Sequence, residues 1–168
     1  YYCGCYVPGT NAQTDKSFKR RCGSNLCYEN KALGGGNLEI KTYIVGDFQV
    51  NCYLVADEAS PQCAVIDAGG VSHELDSYIE SNNYTVKYII FTHGHFDHIG
   101  GAEYYHKKYP KAKILIHSAD SDSLTDETAN FTYPAPYKFA PVKPDVLLKD
   151  GDIIRFGSVS LRVIHTPG

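Results

Sequence analysis

Strand-like segments that begin as neighbours and then alternate with helical ones predict an α+β fold, two sheets with helices outside them. Three observations carry this. Residues 39–45, 52–56 and 64–67 read as strands separated by short turns at Gly46-Asp47 and Ser60-Pro61, the spacing of antiparallel neighbours. Strands over 87–91 and 113–117 are then interleaved with helical segments, so the connections change from turns to crossovers. Two short stretches, 152–156 and 158–164, fold back on each other around Gly157.

Each element has its own signal. Residues 39–45 alternate apolar and polar side chains, as a half-buried strand does. Ser72 can cap a helix whose core-facing residues are Leu75, Tyr78 and Ile79. The apolar run Tyr88-Ile89-Ile90-Phe91 marks a buried strand. A second helix is expected from Ile99 to Tyr109, stopped by Pro110, and a short one over 119–124. Residues 125–144 are rich in Pro, Tyr and Phe without a period. Such an insertion is expected over the loop after residue 91, where Phe131, Tyr133, Tyr137 and Phe139 either line a substrate pocket or pin the loop.

With 168 residues and 43% hydrophobic content there is room for one globular domain. A net charge of −3 is too small to argue for nucleic acid or an anionic membrane surface. No apolar run approaches the roughly 18 residues of a membrane span, and the N-terminus lacks the apolar core of a signal peptide, so a cytoplasmic location is expected. The chain contains no Met, so residue 1 is not expected to be a natural beginning.

Residues 1–37 stand apart. They hold five basic and two acidic residues, a net of +3 that leaves −6 for the remainder, and they sustain no period. A linker, tag or unselected extension is expected there rather than a nucleic-acid-binding arm, with the folded domain over 38–168. Cys3, Cys5, Cys22 and Cys27 crowd this segment at spacings that suit neither a zinc knot nor a staple. Cys52 and Cys63 sit in strands and read as small buried apolar residues.

The chemistry lies in Thr92-His93-Gly94-His95-Phe96-Asp97-His98-Ile99-Gly100-Gly101. Three histidines and an aspartate fall within six positions. In an extended chain side chains alternate, so His93 and His95 point the same way and can pinch one metal. Asp97 and His98 follow where the chain turns into a helix, and can serve a second ion with a carboxylate oxygen and a ring nitrogen. Imidazole with carboxylate suits Zn, Fe or Mn better than Ca or Mg. The bland reading, a solvated loop with locally satisfied histidines, sits badly with four ligand side chains at this spacing.

A metal held by neutral imidazoles lowers the pKa of bound water from about 15.7 towards 7, which generates hydroxide at neutral pH. Two ions roughly 3.5–4 Å apart can hold that hydroxide and polarise a carbonyl. Asp97 and His98 are therefore the candidate catalytic residues, and His93, His95, Asp97 and His98 the candidate metal ligands. Thr92 is expected to close the strand, Gly94 to let the backbone bend near the ions, and Gly100 and Gly101 to relax packing at the helix start. Asp67 either orients the loop from behind or caps a turn.

THGHFDHIGG resembles the HxHxDH motif of the metallo-β-lactamase superfamily. Ala64-Val65-Ile66-Asp67-Ala68-Gly69-Gly70 is similar to that family's strand ending in Asp and Gly, and Val163-Ile164-His165-Thr166-Pro167-Gly168 to the start of its second motif, HTPGHT. The likeness runs from about Leu38 to Gly168 and is nearest to the small glyoxalase-II-like hydrolases. It implies a four-layer αββα sandwich, of which the N-terminal half to two-thirds is present.

The resemblance implies two zinc ions, with Fe or Mn as alternatives. The implied reaction is hydrolysis of a small-molecule thioester, of the hydroxyacylglutathione hydrolase type, with neither nucleic acid nor membrane as partner. Oligomeric state is left open. A mononuclear iron dioxygenase acting on persulfides shares the motif and is the alternative, as is an inactive fragment. In the family the third histidine ligand would follow Gly168, with a bridging aspartate and a last histidine further along. The chain is thus expected to carry half a metal site and little activity as it stands. His165 is expected to be a strand-end histidine hydrogen-bonded near the site, not a ligand.

Overall fold

The computed structural model describes residues 38–133 and 140–167. Strands β1 (Leu38–Val45), β2 (Val50–Asp57) and β3 (Gln62–Ile66) form an antiparallel meander. Strands β4 (Thr85–Phe91), β5 (Lys113–His117) and β6 (Val146–Leu148) then add in parallel, giving a six-stranded sheet in chain order. Strands β7 (Ile153–Phe156) and β8 (Val159–Arg162) pair antiparallel as a second sheet. The crossovers carry helices α1 (His73–Ser81), α2 (Phe96–Ile99) and α3 (Ala102–Lys108), and a 3-10 turn over Ser118–Leu124.

Because side chains alternate along a strand, each central strand serves two cores. On one face Cys52, Leu54, Cys63, Val65, Ile89, Phe91 and Ile114 pack with Leu75 and Ile79 of α1 and with Ala102 and Tyr105 of α3. On the other, Val55, Ala64, Ile66, Ile90 and Leu115 pack with Ile154, Phe156, Val159 and Leu161 of the β7–β8 hairpin. The helices and the second sheet therefore lie on opposite sides of the main sheet. Cys52 and Cys63 are free thiols at zero exposure, and burial pushes their pKa values up.

Asp57, at the end of β2, ties the two sheets together. Its carboxylate accepts the N–H groups of Ala59 (3.0 Å) and Ser158 (2.8 Å) and the hydroxyls of Ser60 (2.7 Å) and Ser158 (2.7 Å). Burial alone would raise its pKa, but these bonds outweigh burial and bring it to about 2. Gly157 beside it has a φ of 53°, and a Cβ there would overlap the Asp57 carboxylate, so glycine is required twice over. A second buried carboxylate, Asp76 of α1, accepts the hydroxyls of Tyr104 and Tyr109 and pairs with Lys108 Nζ at 2.9 Å.

The strands expected over 39–45, 87–91 and 113–117 fall at those places. Ser72 caps α1, its hydroxyl accepting the Leu75 N–H at 3.2 Å, with Leu75 and Ile79 buried and Tyr78 half-buried. The single helix expected from Ile99 to Tyr109 is in fact two. It starts at Phe96 and breaks at Gly100-Gly101, because the Gly101 N–H donates to Ala68 O at 2.7 Å and the 68–70 backbone presses into the break. Residues 119–124 belong to a 3-10 turn rather than an α-helix, and β6, three residues long, was not anticipated at all. The expected linker over 1–37 and the aromatic residues Tyr137 and Phe139 lie outside the described residues. No helix among the described residues is long and apolar enough to cross a membrane.

Candidate metal centre

Strands β3 and β4 are parallel neighbours, so both deliver their C-terminal ends to one edge of the sheet. In open sheets of this kind ligands bind beyond those ends. Asp67 leaves β3 in a left-handed conformation (φ 54°), which aspartate tolerates better than most residues. Its carboxylate reaches across to β4. Oδ1 accepts the Thr92 N–H at 2.8 Å and Oδ2 accepts the Thr92 hydroxyl at 2.6 Å, with both residues buried.

The histidine loop starts there. The Thr92 hydroxyl lies 3.0 Å from His93 Nδ1. The His93 ring centroid is 4.0 Å from that of His98 and 4.6 Å from that of His95. Asp97 Oδ2 stands 3.9 Å from His98 Nε2. On its other side His98 Nδ1 approaches Asp67 Oδ2 to 3.2 Å, an ion-pair distance, yet it is misaligned for a hydrogen bond and its buried ring nitrogen has no hydrogen-bond partner. The fold thus brings together the four sequence-predicted donors, with His95 exposed and the other three half-buried.

Burial, reinforced by His98, drops the His93 pKa to about 4, so this ring is neutral near pH 7. For His98 burial works the other way from its neighbours. The carboxylate of Asp67, helped by Asp97, outweighs burial and raises the pKa. Among the described residues no three His, Cys, Asp or Glu side chains close into a ready-made cage for an ion. What stands there is a close set of three imidazoles and a carboxylate, one buried ring nitrogen of which lacks a hydrogen bond. That donor chemistry fits a borderline divalent ion.

The glycines of the loop act differently from the expectation. A Cβ at Gly94 would overlap the side chain of Ser123, so Gly94 is fixed by packing against the 3-10 turn. Gly100 and Gly101 tighten the helix start rather than relax it, since a Cβ on either would come within 2.7 Å and 2.6 Å of the carbonyls of Gly69 and Ala68. Asn130, fully buried and not singled out by the sequence reading, anchors the insertion on the loop. Its carbonyl accepts the Phe96 N–H at 3.0 Å, its Nδ2 donates to Ser123 O at 2.8 Å and its Oδ1 accepts the Thr132 N–H at 2.9 Å. A buried Asn among polar neighbours carries no sequence signal of its own. Phe131 rests edge-on to His95, centroids 5.2 Å apart, and Tyr133 is exposed.

His165 stacks its ring on that of His117, at 4.1 Å and 14°, and its N–H donates to Asp150 Oδ1 at 2.9 Å. His117 ends β5 at the same edge of the sheet as Thr92, and burial followed by the charge of His165 lowers its pKa.

This arrangement has relatives. A sequence profile of the metallo-β-lactamase superfamily matches residues 45–168. The chain belongs to the metallo-β-lactamase superfamily. It is similar to the probable metallo-hydrolase YqgX of Bacillus subtilis, 32% identical over 126 residues that cover 74% of this chain and 58% of that protein. It is also similar to the hydroxyacylglutathione hydrolase GloC of Haemophilus influenzae, 28% identical over 139 residues that cover 78% of this chain and 62% of that one. The crystal structure of the BLEG-1 B3 metallo-β-lactamase superposes with a TM-score of 0.68 at 25% identity, covering 77% of this chain and 62% of the lactamase. The chain spans about three-fifths of the length of these relatives. The main sheet, its outer helices and the start of a second sheet are those of the metallo-β-lactamase fold.

Proposed function

We propose that the protein is a zinc-dependent hydrolase of small thioesters, of the glyoxalase II type, acting in the cytoplasm. The observation that carries this is the convergence of His93, His95, Asp97 and His98 at the sheet edge, braced from behind by Asp67 and Thr92. His93 and His95 would hold one ion, Asp97 and His98 a second. Such ions, when bound, make hydroxide available at neutral pH and polarise a carbonyl.

The chain's own residues supply the rest. Burial keeps His93 neutral, so its lone pair is available near pH 7. Asp67 holds the end of β4 through Thr92 and faces His98 Nδ1, which directs the other nitrogen of His98 towards Asp97. The relative named as a hydroxyacylglutathione hydrolase supports the thioester as substrate class.

The test is metal analysis and turnover of a hydroxyacylglutathione by a version continued past Gly168 to the length of its relatives, beside the 168-residue chain, which is expected to show little of either. Bound zinc, with hydrolysis that falls at least about a hundredfold in His95→Ala and Asp97→Asn, is the expected result. A single bound iron with oxygen consumption on a persulfide would replace this reading with the dioxygenase.

A further inference from the structure

We infer that Phe131 is a positioning residue for His95: a strained, internally bonded turn holds its ring edge-on to the imidazole and so fixes the most exposed of the metal donors. This rests on the hydrolase reading above and adds a residue to its site.

Of the four donors gathered at the sheet edge, His95 alone is exposed. His93 Nδ1 lies against the Thr92 hydroxyl, His98 Nδ1 faces Asp67, and Asp97 faces His98 Nε2. Among the described residues the His95 imidazole has no such polar neighbour, and it does not cap α2, which it precedes. An exposed imidazole samples several rotamers, and freezing one to receive an ion costs about two- to tenfold in affinity. The His95 ring instead meets two others, that of His93 at 4.6 Å and that of Phe131 at 5.2 Å and 76°. Edge-to-face contact at this separation is favourable. A phenyl ring neither donates nor accepts a proton, so Phe131 steadies the imidazole and leaves both ring nitrogens free.

The backbone of Phe131 is the second observation. Its φ of 63° is left-handed, a conformation in which a bulky side chain is an outlier. Yet the ring is 62% exposed, so burial does not offset the strain. Gly or Asn would sit there at less cost. Strain of this kind persists only where the surrounding structure enforces it, and it gathers where a side chain must be aimed.

The enforcement comes from Asn130 and the turn before it. The Asn130 N–H donates to Asp126 O at 3.2 Å, the Phe131 N–H to Thr128 O at 3.4 Å and the Tyr133 N–H to Glu127 O at 3.0 Å. Asn130 Oδ1 accepts both the N–H and the hydroxyl of Thr132, at 2.9 Å and 2.5 Å. Asn130 and Thr132 are buried, and the residue between them is turned out onto His95. The bond from the Phe96 N–H to Asn130 O joins the residue after His95 to the residue before Phe131. Ring and imidazole therefore meet on one shared frame.

Phe131→Gly separates aiming from propping, because it relieves the left-handed backbone while deleting the ring. In the metal-free 168-residue chain, NMR should show nuclear Overhauser contacts between the Phe131 and His95 rings, and the His95 ring resonances should move in Phe131→Gly. In the version continued past Gly168, zinc affinity measured against a competing chelator should fall about three- to tenfold in Phe131→Gly and stay within about twofold of the parent in Phe131→Tyr. The urea midpoint of Phe131→Gly should be no lower than the parent's. A midpoint that falls together with zinc affinity marks a ring that only supports the fold, and overturns the inference. So does the absence of contacts between the two rings, or zinc affinity unmoved in Phe131→Gly. If zinc affinity follows Phe131 while no thioester is cleaved, the hydrolase reading fails and the positioning role stands. If thioesters are cleaved while zinc affinity ignores Phe131→Gly, the positioning role fails and the hydrolase reading stands.

Discussion

The Thr92 hydroxyl lies between two partners, 2.6 Å from Asp67 Oδ2 and 3.0 Å from His93 Nδ1. A hydroxyl has one proton, and the carboxylate, which can only accept, takes it. Thr92 therefore turns a lone pair to His93, and Nδ1 must be the protonated ring nitrogen. His93 is neutral, so its Nε2 carries the free lone pair. A threonine next in sequence to a histidine thus sets which nitrogen of the imidazole carries the free lone pair.

Removing that hydroxyl tests the relay. Thr92→Val is expected to weaken zinc binding about 10–100-fold by freeing the His93 tautomer. It should also cost about 1–2 kcal/mol of stability, because the Asp67 carboxylate loses a buried partner. Thr92→Ser should keep both properties close to the parent. Zinc titration and urea denaturation measure the two effects separately, and a Thr92→Val protein with parental zinc affinity would remove Thr92 from the site.

Gly94→Ala should destabilise the protein by about 1–3 kcal/mol, since the new methyl overlaps the Ser123 side chain in a buried contact. Ser123→Gly in the same chain should restore much of the loss. Thermal denaturation of the two single variants and the double variant gives the coupling, and additivity of the two changes would show that the contact is not the cause.

Much of this was legible in the sequence, for a physical reason. Alternation over 39–45 and the apolar run at 88–91 report burial through local periodicity, and the four donors lie within six positions, so one loop contains them. What escaped depends on contacts made at a distance. The helix break at Gly100-Gly101 answers to the carbonyls of Ala68 and Gly69, some thirty positions earlier. Strand β6 has three residues and exists because β5 offers it an edge. The burial of Asp76 needs Lys108 and two tyrosine hydroxyls from another helix, and nothing near residue 76 announces them. Asn130 is of the same kind.

Acid should loosen the joint between the sheets. The Asp57 carboxyl titrates near 2 in the folded chain and near 3.9 when unfolded. A depressed folded pKa contributes stability that is fully present above about pH 4 and lost as pH falls through 2. Its share is roughly 1–2 kcal/mol. Urea unfolding at pH 6 and pH 2.5 should show a smaller acid loss in Asp57→Asn than in the parent, although the variant is weaker at pH 6. Equal acid losses in the two proteins would place the acid sensitivity elsewhere.

Asp76→Ala should cost about 1–3 kcal/mol, as Tyr104, Tyr109 and Lys108 lose a shared acceptor. Lys108→Met is expected to cost less, because both tyrosines still donate to the carboxylate. Chemical denaturation of both variants checks the order, and a larger loss for Lys108→Met would reverse the account of which group holds the cluster.

At Gly69, Gly100 and Gly101 main chain lies directly on main chain, with no side chain between the histidine loop and the strand end that supports it. The loop's position is therefore inherited from atoms every residue type shares. Replacement of the exposed side chains Phe48, Phe131 or Tyr133 changes the surface around the loop and leaves those backbone contacts as they were. Change at the surface is separated, in this architecture, from displacement of the loop, and three small residues are the ones with no room for a side chain.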